Sequence, residues 1–398
     1  MTWDKFASRL IHNGDGRFQL KLSASASLPE TFPVYLTSVF AFEDAEAVDD
    51  IYEKRAGGYL YSRLGSPNAD AAAAILAAAE GSEDALVFSS GMAAITTAIL
   101  SLVRAGDHLV SSPVLYGGVH DFFVNELKRF GVEVSFTGPG REEVAGLARP
   151  STRLIYTEMI SNPLMEVPDL GRLAGEARRL GIPLVVDNTF ATPAVARALD
   201  LGADLAVYSA TKYLGGHSDI LAGAVTGSRE KLDGVRRLGK LYGNGLGAVD
   251  SWLLARSLRT LDLRVGRHSE NGLKIALFLE SHPKVEKVFY PGLASSPSHP
   301  VAARQFLGGR FGGMLSFNLR GGEKEARGLI RALAGIPFVP SLAGAATTLS
   351  YSIKASHRFY SPEELAAAGV TAGQLRLSVG LEDAGDIIAV LEEGLGRI

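Results

Sequence analysis

The chain has 398 residues, 40 Lys and Arg against 43 Asp and Glu, 46% apolar residues and no cysteine. A formal net charge of −3 leaves no basic field for a phosphate backbone, so nucleic acid is not an expected partner. Without cysteine there are no disulfides, thiolate zinc sites, iron–sulfur clusters or cysteine nucleophiles; separately, no metal is expected in the site read below. At about 150 residues per domain the length predicts two or three domains, each able to bury a core.

The amino terminus, Met1 to Phe6, carries an acid early and no apolar run follows, so no export signal is read and the cytoplasm is the expected location. Residues 1–60 read as an arm, with Pro29 and Pro33 in an extended stretch and too little alternation for a core. From Asp70 onward short apolar strands alternate with helical patterns. Ala71–Ala79 is a run of helix formers, Ala85–Phe88 a strand and Met92–Val103 a helix. His108–Val110, Val132–Phe136, Arg153–Thr157, Leu184–Val186 and Leu205–Tyr208 follow as strands separated by helical stretches. This alternation predicts a doubly wound, mostly parallel α/β domain over 61–260, with helices on both faces. After Leu263 a long helix, Val265–Glu280, precedes alternating strands at Val285–Tyr290 and Gly312–Leu319, which predict a smaller α+β domain over 261–398. Residues 332–353 carry no charge and match a membrane span in length. Pro337, Pro340 and a series of hydroxyls argue instead for a buried loop and strand forming a site wall or core, and no membrane partner is expected.

In an open α/β sheet ligands bind beyond the carboxyl ends of the strands. Three strand ends there are informative. Asp187 closes the run Pro183–Val186, where a carboxylate could bind a metal, stay ionised beside a cationic ring nitrogen, or simply cap a loop. Lys212 lies after Leu205–Tyr208 between Ser209, Thr211 and the pair Gly215 and Gly216; partial desolvation there would lower its pKa and suit Schiff-base formation. A surface lysine in a glycine-rich turn is the plainer reading. Phe88 leads into Ser89, Ser90, Gly91 and Met92 at a helix start, whose N–H groups suit a phosphate. Neither G-x-G-x-x-G nor a Walker A sequence occurs, which removes the main support for nicotinamide or nucleoside-triphosphate chemistry. An anion cradle, a carboxylate and an amine in one domain form the set that pyridoxal 5′-phosphate (PLP) requires: donors for its phosphate, an acid for its ring nitrogen and a lysine for its aldehyde.

Ser209–Asp219, together with stretches from Pro33 to Asp383, resembles the Cys/Met-metabolism PLP enzymes, which include cystathionine γ-synthase, the cystathionine γ- and β-lyases, methionine γ-lyase and the O-acylhomoserine sulfhydrylases. The resemblance implies the type I, aspartate-aminotransferase-like PLP fold and a homotetramer built as a dimer of dimers with shared sites. It implies that Lys212 carries the cofactor as a Schiff base and moves protons, and that Asp187 partners the ring nitrogen so that the ring accepts carbanion electrons. Tyr116 is similar to the tyrosine that stacks on the ring and serves as a base. Ser90, Gly91, Met92, Ser209 and Thr211 resemble the phosphate cradle, and Tyr61 and Arg63 the pair that reaches a neighbouring subunit's phosphate. Arg376 resembles the arginine that grips the substrate carboxylate, with Ser341 and Asn162 as further substrate and cofactor contacts.

The chain departs from the family's usual pattern at four positions. Ala346 stands where many γ-specific members carry glutamate, Gly118 where methionine γ-lyases commonly carry cysteine, Val119 where threonine is usual, and Ser66 where asparagine precedes proline. Losing the glutamate implies a smaller or more apolar distal group on the substrate. The implied activity is γ-elimination or γ-replacement on a sulfur amino acid or O-acylhomoserine. β-Elimination of the cystathionine β-lyase type is the closest alternative, and a PLP-binding protein without turnover is the alternative of a different class.

Overall fold

The computed structural model describes residues 5–13, 29–138, 144–355, 358, 363, 365 and 369–398. Seven strands form its larger sheet: β1 (Asp84–Phe88), β2 (His108–Ser111), β3 (Glu133–Phe136), β4 (Thr152–Glu158), β5 (Leu184–Asp187), β6 (Leu205–Tyr208) and β7 (Gly223–Gly227). Their order is β1-β7-β6-β5-β4-β2-β3, and β7 alone runs antiparallel to its neighbours. The first six strands lie within two residues of their expected positions. β7 escaped sequence reading because glycine stands at both its ends. At Gly223 a Cβ would lie 2.0 Å from the Ser90 carbonyl oxygen, so the residue that reads as a strand breaker is there for close backbone approach.

Both faces of this sheet are covered, which is why its strands read as continuous apolar runs. Along β5, Leu184 and Val186 enter one core and Val185 the other. Helices Pro67–Glu80, Leu170–Leu180 and Ala248–Leu258 cover the first face. Gly91–Leu102 and Arg229–Tyr242 cover the second. Helix Pro67–Glu80 has a complete set of end signals: Ser66 accepts from the Ala69 N–H, Pro67 sits in the first turn, and Gly81 ends it at φ 77°. Ser66, the departure noted above, thus serves as the N-cap.

That helix carries a fully buried carboxyl, Glu80, which accepts from Leu199 N at 3.2 Å and Tyr208 Oη at 2.5 Å. Burial pushes its pKa up from 4.5 to about 7. Because the folded value exceeds the unfolded one, the native state binds the extra proton, and stability falls as pH rises from 4.5 through 7. The loss amounts to roughly 3 kcal/mol. Glu80→Gln keeps the acceptor for Leu199 N and, like the protonated carboxyl, presents a donor to Tyr208 Oη; it is expected to melt higher than the parent at pH 8.5, with the gap closing by pH 5, when both are followed by thermal denaturation. Parallel curves for the two proteins across this range would show that Glu80 does not titrate there.

The smaller sheet is antiparallel throughout, with strands β8 (Val285–Phe289), β9 (Met314–Leu319), β10 (Thr348–Ser350) and β11 (Gln374–Ser378) in the order β10-β11-β9-β8. Helices Leu261–Ser281, Glu323–Ala332 and Ala384–Gly396 pack on it. The first of these joins both units, since Leu261 and Val265 enter the large core and Ile275 and Leu279 the small one. Uncharged residues 332–353 form loop and short strand. Leu342 and Ala343 join the large core, while Ile336 and Leu349 join the small one. Among the described residues no helix is long and apolar enough to cross a membrane.

The arm differs from its sequence reading in one respect. Its segment Phe6–His12 places Leu10, fully buried, in the large core. Farther on, Leu36 and Val39 remain 78% and 59% exposed, although Val39 forms a β-bridge to Tyr61.

Candidate active site

Parallel register brings the polar strand ends to one edge. Glu158, the last residue of β4, pairs with Asp187, the last of β5, and β6 delivers Ser209–Lys212 directly beside them. A cavity of about 420 Å³ opens at this edge, within the range of small-molecule sites. Ser90, Gly91, Met92, Ser209 and Thr211 line one part of it. Tyr116, Asn162, Asp187, Lys212 and Arg376 line the rest. Ten residues chosen from sequence therefore share one wall, though they span almost 290 positions.

At one end, helix Gly91–Leu102 begins with Ser90 as N-cap, its side chain accepting from Ala93 N at 3.0 Å. The first-turn N–H groups of Gly91 and Met92 have no carbonyl a turn earlier and suit an anion. A Cβ on Gly91 would come within 2.7 Å of the Ser209 Cβ, so glycine keeps this cradle open. Thr211 is tied to the residue before β7, its hydroxyl donating to the Ala222 carbonyl at 3.1 Å and accepting from Ala222 N at 2.9 Å.

In the middle, Asp187 is buried and its Oδ1 accepts from Thr189 N at 2.9 Å. Burial holds its pKa above the ordinary carboxylate value, against the lowering effect of hydrogen bonds from Thr189 and Tyr156. A buried carboxyl in this position favours a cationic partner. Lys212 Nζ donates to Ser341 Oγ at 3.1 Å. Desolvation, and then the Arg376 charge, lower the pKa of this amine. Tyr116 is 45% exposed at the rim, and its backbone N–H donates to Glu158 Oε1 at 2.6 Å. A Cβ on Gly118 would lie 2.7 Å from the Tyr116 ring, so the missing side chain at 118 is what lets that ring lie back. Val119 is buried in the core behind it.

At the far end Arg376, on β11, is 4% exposed. Its Nη1 donates to Asn162 Oδ1 at 2.8 Å and its Nε to Ser350 Oγ at 3.1 Å. Both acceptors are neutral, and burial lowers the guanidinium pKa to about 10, so the site holds a desolvated fork that lacks an anion among the described residues. Ser350 fixes that fork. Ser350→Ala is expected to raise KM for the amino-acid substrate roughly fivefold, the value of one hydrogen bond of about 1 kcal/mol, with kcat little changed in steady-state kinetics. A fall in kcat at unchanged KM would mean that Ser350 does not act through carboxylate binding.

Three expected residues stand elsewhere. Ser341 touches Lys212 without lining the cavity. Tyr61 and Arg63 are also outside their own chain's cavity: the Arg63 guanidinium stacks 5.5 Å from the Tyr61 ring centre and donates to the Lys240 carbonyl at 2.7 Å. Ala346 is exposed and is not part of the wall. Sequence reading missed Glu158 and Thr189, although the strand-end rule that found Asp187 applies equally to Glu158. Ser350 offered no signal, because only the β10–β11 register, Ser350 opposite Arg376, brings them together.

The family model for Cys/Met metabolism PLP-dependent enzymes matches residues 19–396. L-methionine gamma-lyase of Treponema denticola is 39% identical over 99% of this chain and 97% of its own length. Cystathionine gamma-lyase of Bacillus subtilis is 40% identical over 86% of this chain and 89% of its own. Among solved structures, cystathionine gamma-lyase from Lactobacillus plantarum, complexed with L-serine, superposes with a TM-score of 0.89 at 32% identity, covering 99% of both chains.

Proposed function

The chain belongs to the Cys/Met metabolism PLP-dependent enzyme family, and we propose that it performs γ-elimination or γ-replacement on sulfur amino acids or O-acylhomoserine whose distal group is uncharged. The observation that carries the substrate preference is the charge inventory of the cavity. The Lys, Arg, Asp and Glu residues among its described lining are Lys212, Arg376, Asp187 and Glu158. The first three have assigned partners in this reading, and Glu158 is engaged by the Tyr116 N–H. The remaining wall includes Ile160, Phe190, Leu221, Leu342 and Ala355. Cystathionine would place a second ammonium and carboxylate against these side chains with no charged partner among the described residues, which is costly. Methionine or an acylated homoserine would not.

The residues present fit PLP: an open anion cradle at Gly91, a buried carboxyl that lacks a cation among the described residues, and a desolvated amine between them. When bound, PLP supplies an electron sink that lets bonds at the substrate's α-carbon ionise. In this reading the helix start at Gly91 and Met92, with Ser209 and Thr211, holds the phosphate. Asp187 holds a proton on the ring nitrogen, and the Tyr116 ring covers the open face. Arg376 grips the α-carboxylate and thereby aims the α-hydrogen at Lys212 Nζ. That amine, its pKa lowered towards the working range, takes the α-proton and moves it along the substrate. Ser341 Oγ gives Nζ a resting position. Tyr61 and Arg63 complete a neighbour's site in a cytoplasmic homotetramer; the exposed Leu36, Val39 and Tyr61 support such an assembly. The three-part division into an arm to 60, a cofactor domain to 260 and a carboxyl-terminal domain belongs to the same reading.

The test is a product panel with methionine, cystathionine, cysteine and O-acetylhomoserine, with and without sulfide. Expected products are methanethiol, 2-oxobutanoate and ammonia from methionine and water, and a new thioether or thiol amino acid when sulfide or a thiol takes the place of the leaving group. Cystathionine should react poorly. Pyruvate from cystathionine as the dominant product would replace this reading with β-elimination.

A further inference from the structure

Arg264 lies on helix Leu261–Ser281, one wall behind the cavity, and is only 6% exposed. All its hydrogen bonds among the described residues go to neutral oxygens: Nη1 to the Tyr213 carbonyl at 2.7 Å, Nη2 to the carbonyls of Ser257 at 2.7 Å and Leu214 at 3.4 Å, and Nε to Thr260 Oγ1 at 3.1 Å. A desolvated guanidinium satisfied only by carbonyls and a hydroxyl is expensive to bury, so its position calls for a reason beyond packing.

Two of those carbonyls belong to the residues immediately after Lys212. The turn they close is tight: Gly215 N donates to the Ala210 carbonyl at 2.8 Å, and Gly216 N to the Lys212 carbonyl at 2.7 Å. Gly216 adopts φ 71°, and a Cβ there would lie 2.0 Å from Arg264 Nη1, so the guanidinium occupies the space that this glycine leaves. The third carbonyl, of Ser257, belongs to the preceding helix, which packs in the large core. We propose that Arg264 is a positioning residue for Lys212, clamping the turn that carries the amine to the helix that joins the two halves of the molecule. It touches neither cofactor nor substrate; it acts through the backbone of Tyr213 and Leu214. This inference rests on the reading of Lys212 as the cofactor lysine.

The clamp predicts that loosening the turn lets Nζ leave its place beside Ser341 and Arg376 and move towards water, which raises its pKa towards the ordinary lysine value. Arg264→Lys keeps a cation but loses the planar fork that reaches the turn and the preceding helix together, and Arg264→Met removes both functions. In the PLP-loaded full chain the Lys212 nitrogen would be the Schiff-base nitrogen, on which the same desolvation and Arg376 charge act, and both variants are expected to shift the pH midpoint of the cofactor's absorbance change upward by about half a unit or more. They should also lower kcat on the order of tenfold, with KM for methionine held within about twofold. Leu391→Ala, in the carboxyl-terminal core, supplies a variant destabilised far from the site. The inference is overturned if either arginine variant keeps the parent's midpoint and kcat, or if Leu391→Ala reproduces both changes. If the arginine variants do not fold, Gly216→Ala, whose methyl displaces the guanidinium, carries the same expectation and the same refutation. Borohydride reduction of the parent followed by peptide mass analysis keeps the two readings apart. Cofactor trapped on Lys212 in the parent, with unshifted variants, sinks the clamp alone, whereas no label on Lys212 sinks the assignment of the lysine and the clamp with it.

Discussion

Lys212→Ala is expected to cut turnover of methionine by about 10³-fold or more while the protein stays folded. Lys212 is the amine at the cavity edge that combines desolvation with a hydroxyl rest, Ser341 Oγ at 3.1 Å. Removing it deletes both the attachment point for the cofactor and the group that moves the α-proton, and these losses compound. The fold should tolerate the change, because the side chain makes one hydrogen bond and the turn around it is closed by backbone bonds from Gly215 and Gly216. The measurements are kcat with methionine, the absorbance of the PLP-loaded protein, and a thermal melt. A folded variant with undiminished turnover would place the chemistry on another residue.

Asp187→Asn should produce opposite effects on activity and on the cofactor-free protein. Turnover is expected to fall on the order of 10²-fold, since a neutral amide cannot hold the ring nitrogen protonated and the electron sink weakens. The cofactor-free chain, by contrast, should gain stability at neutral pH. Burial raises the Asp187 pKa above its unfolded value of 3.8. The folded state therefore favours the protonated form, and the stability it contributes at low pH is lost as pH rises through the folded pKa. Asparagine keeps the acceptor for Thr189 N and removes that loss. Melts of both proteins at pH 7, with and without saturating PLP, check the prediction. The cofactor should raise the parent's melting temperature more than the variant's. A variant that is less stable than the parent without PLP would mean that the carboxylate is matched to a cation from the protein itself.

The chemistry of the site was legible because strand ends are legible. A parallel sheet covered on both faces makes each strand a short apolar run, and the first polar residue after the run lies at the ligand edge. Asp187 and Ser209 carry this mark directly, and Ser90 and Lys212 follow within four residues of the ends of their strands. Arg376 does not, because it sits inside β11, and it was found only by family resemblance. Its partners Asn162 and Ser350 come from a loop after β4 and from an edge strand, separated from it by 214 and 26 residues. No local pattern encodes those distances.

What the sequence by itself determined is the class of chemistry and the order of the layers. Apolar runs of four to seven residues, helix caps such as Ser66 and Gly81, and the spacing around Lys212 are local, and local propensity reads them. Tertiary structure decided which polar groups face one another. It set Glu158 beside Asp187 through parallel register, turned β7 against its neighbours so that Gly223 could meet Ser90, folded Leu10 of the arm onto the large core, and buried Arg264 under the lysine turn. These outcomes depend on packing between residues far apart in the chain, where the free energy comes from excluding water and satisfying buried polar groups, and neither is a property of any one segment.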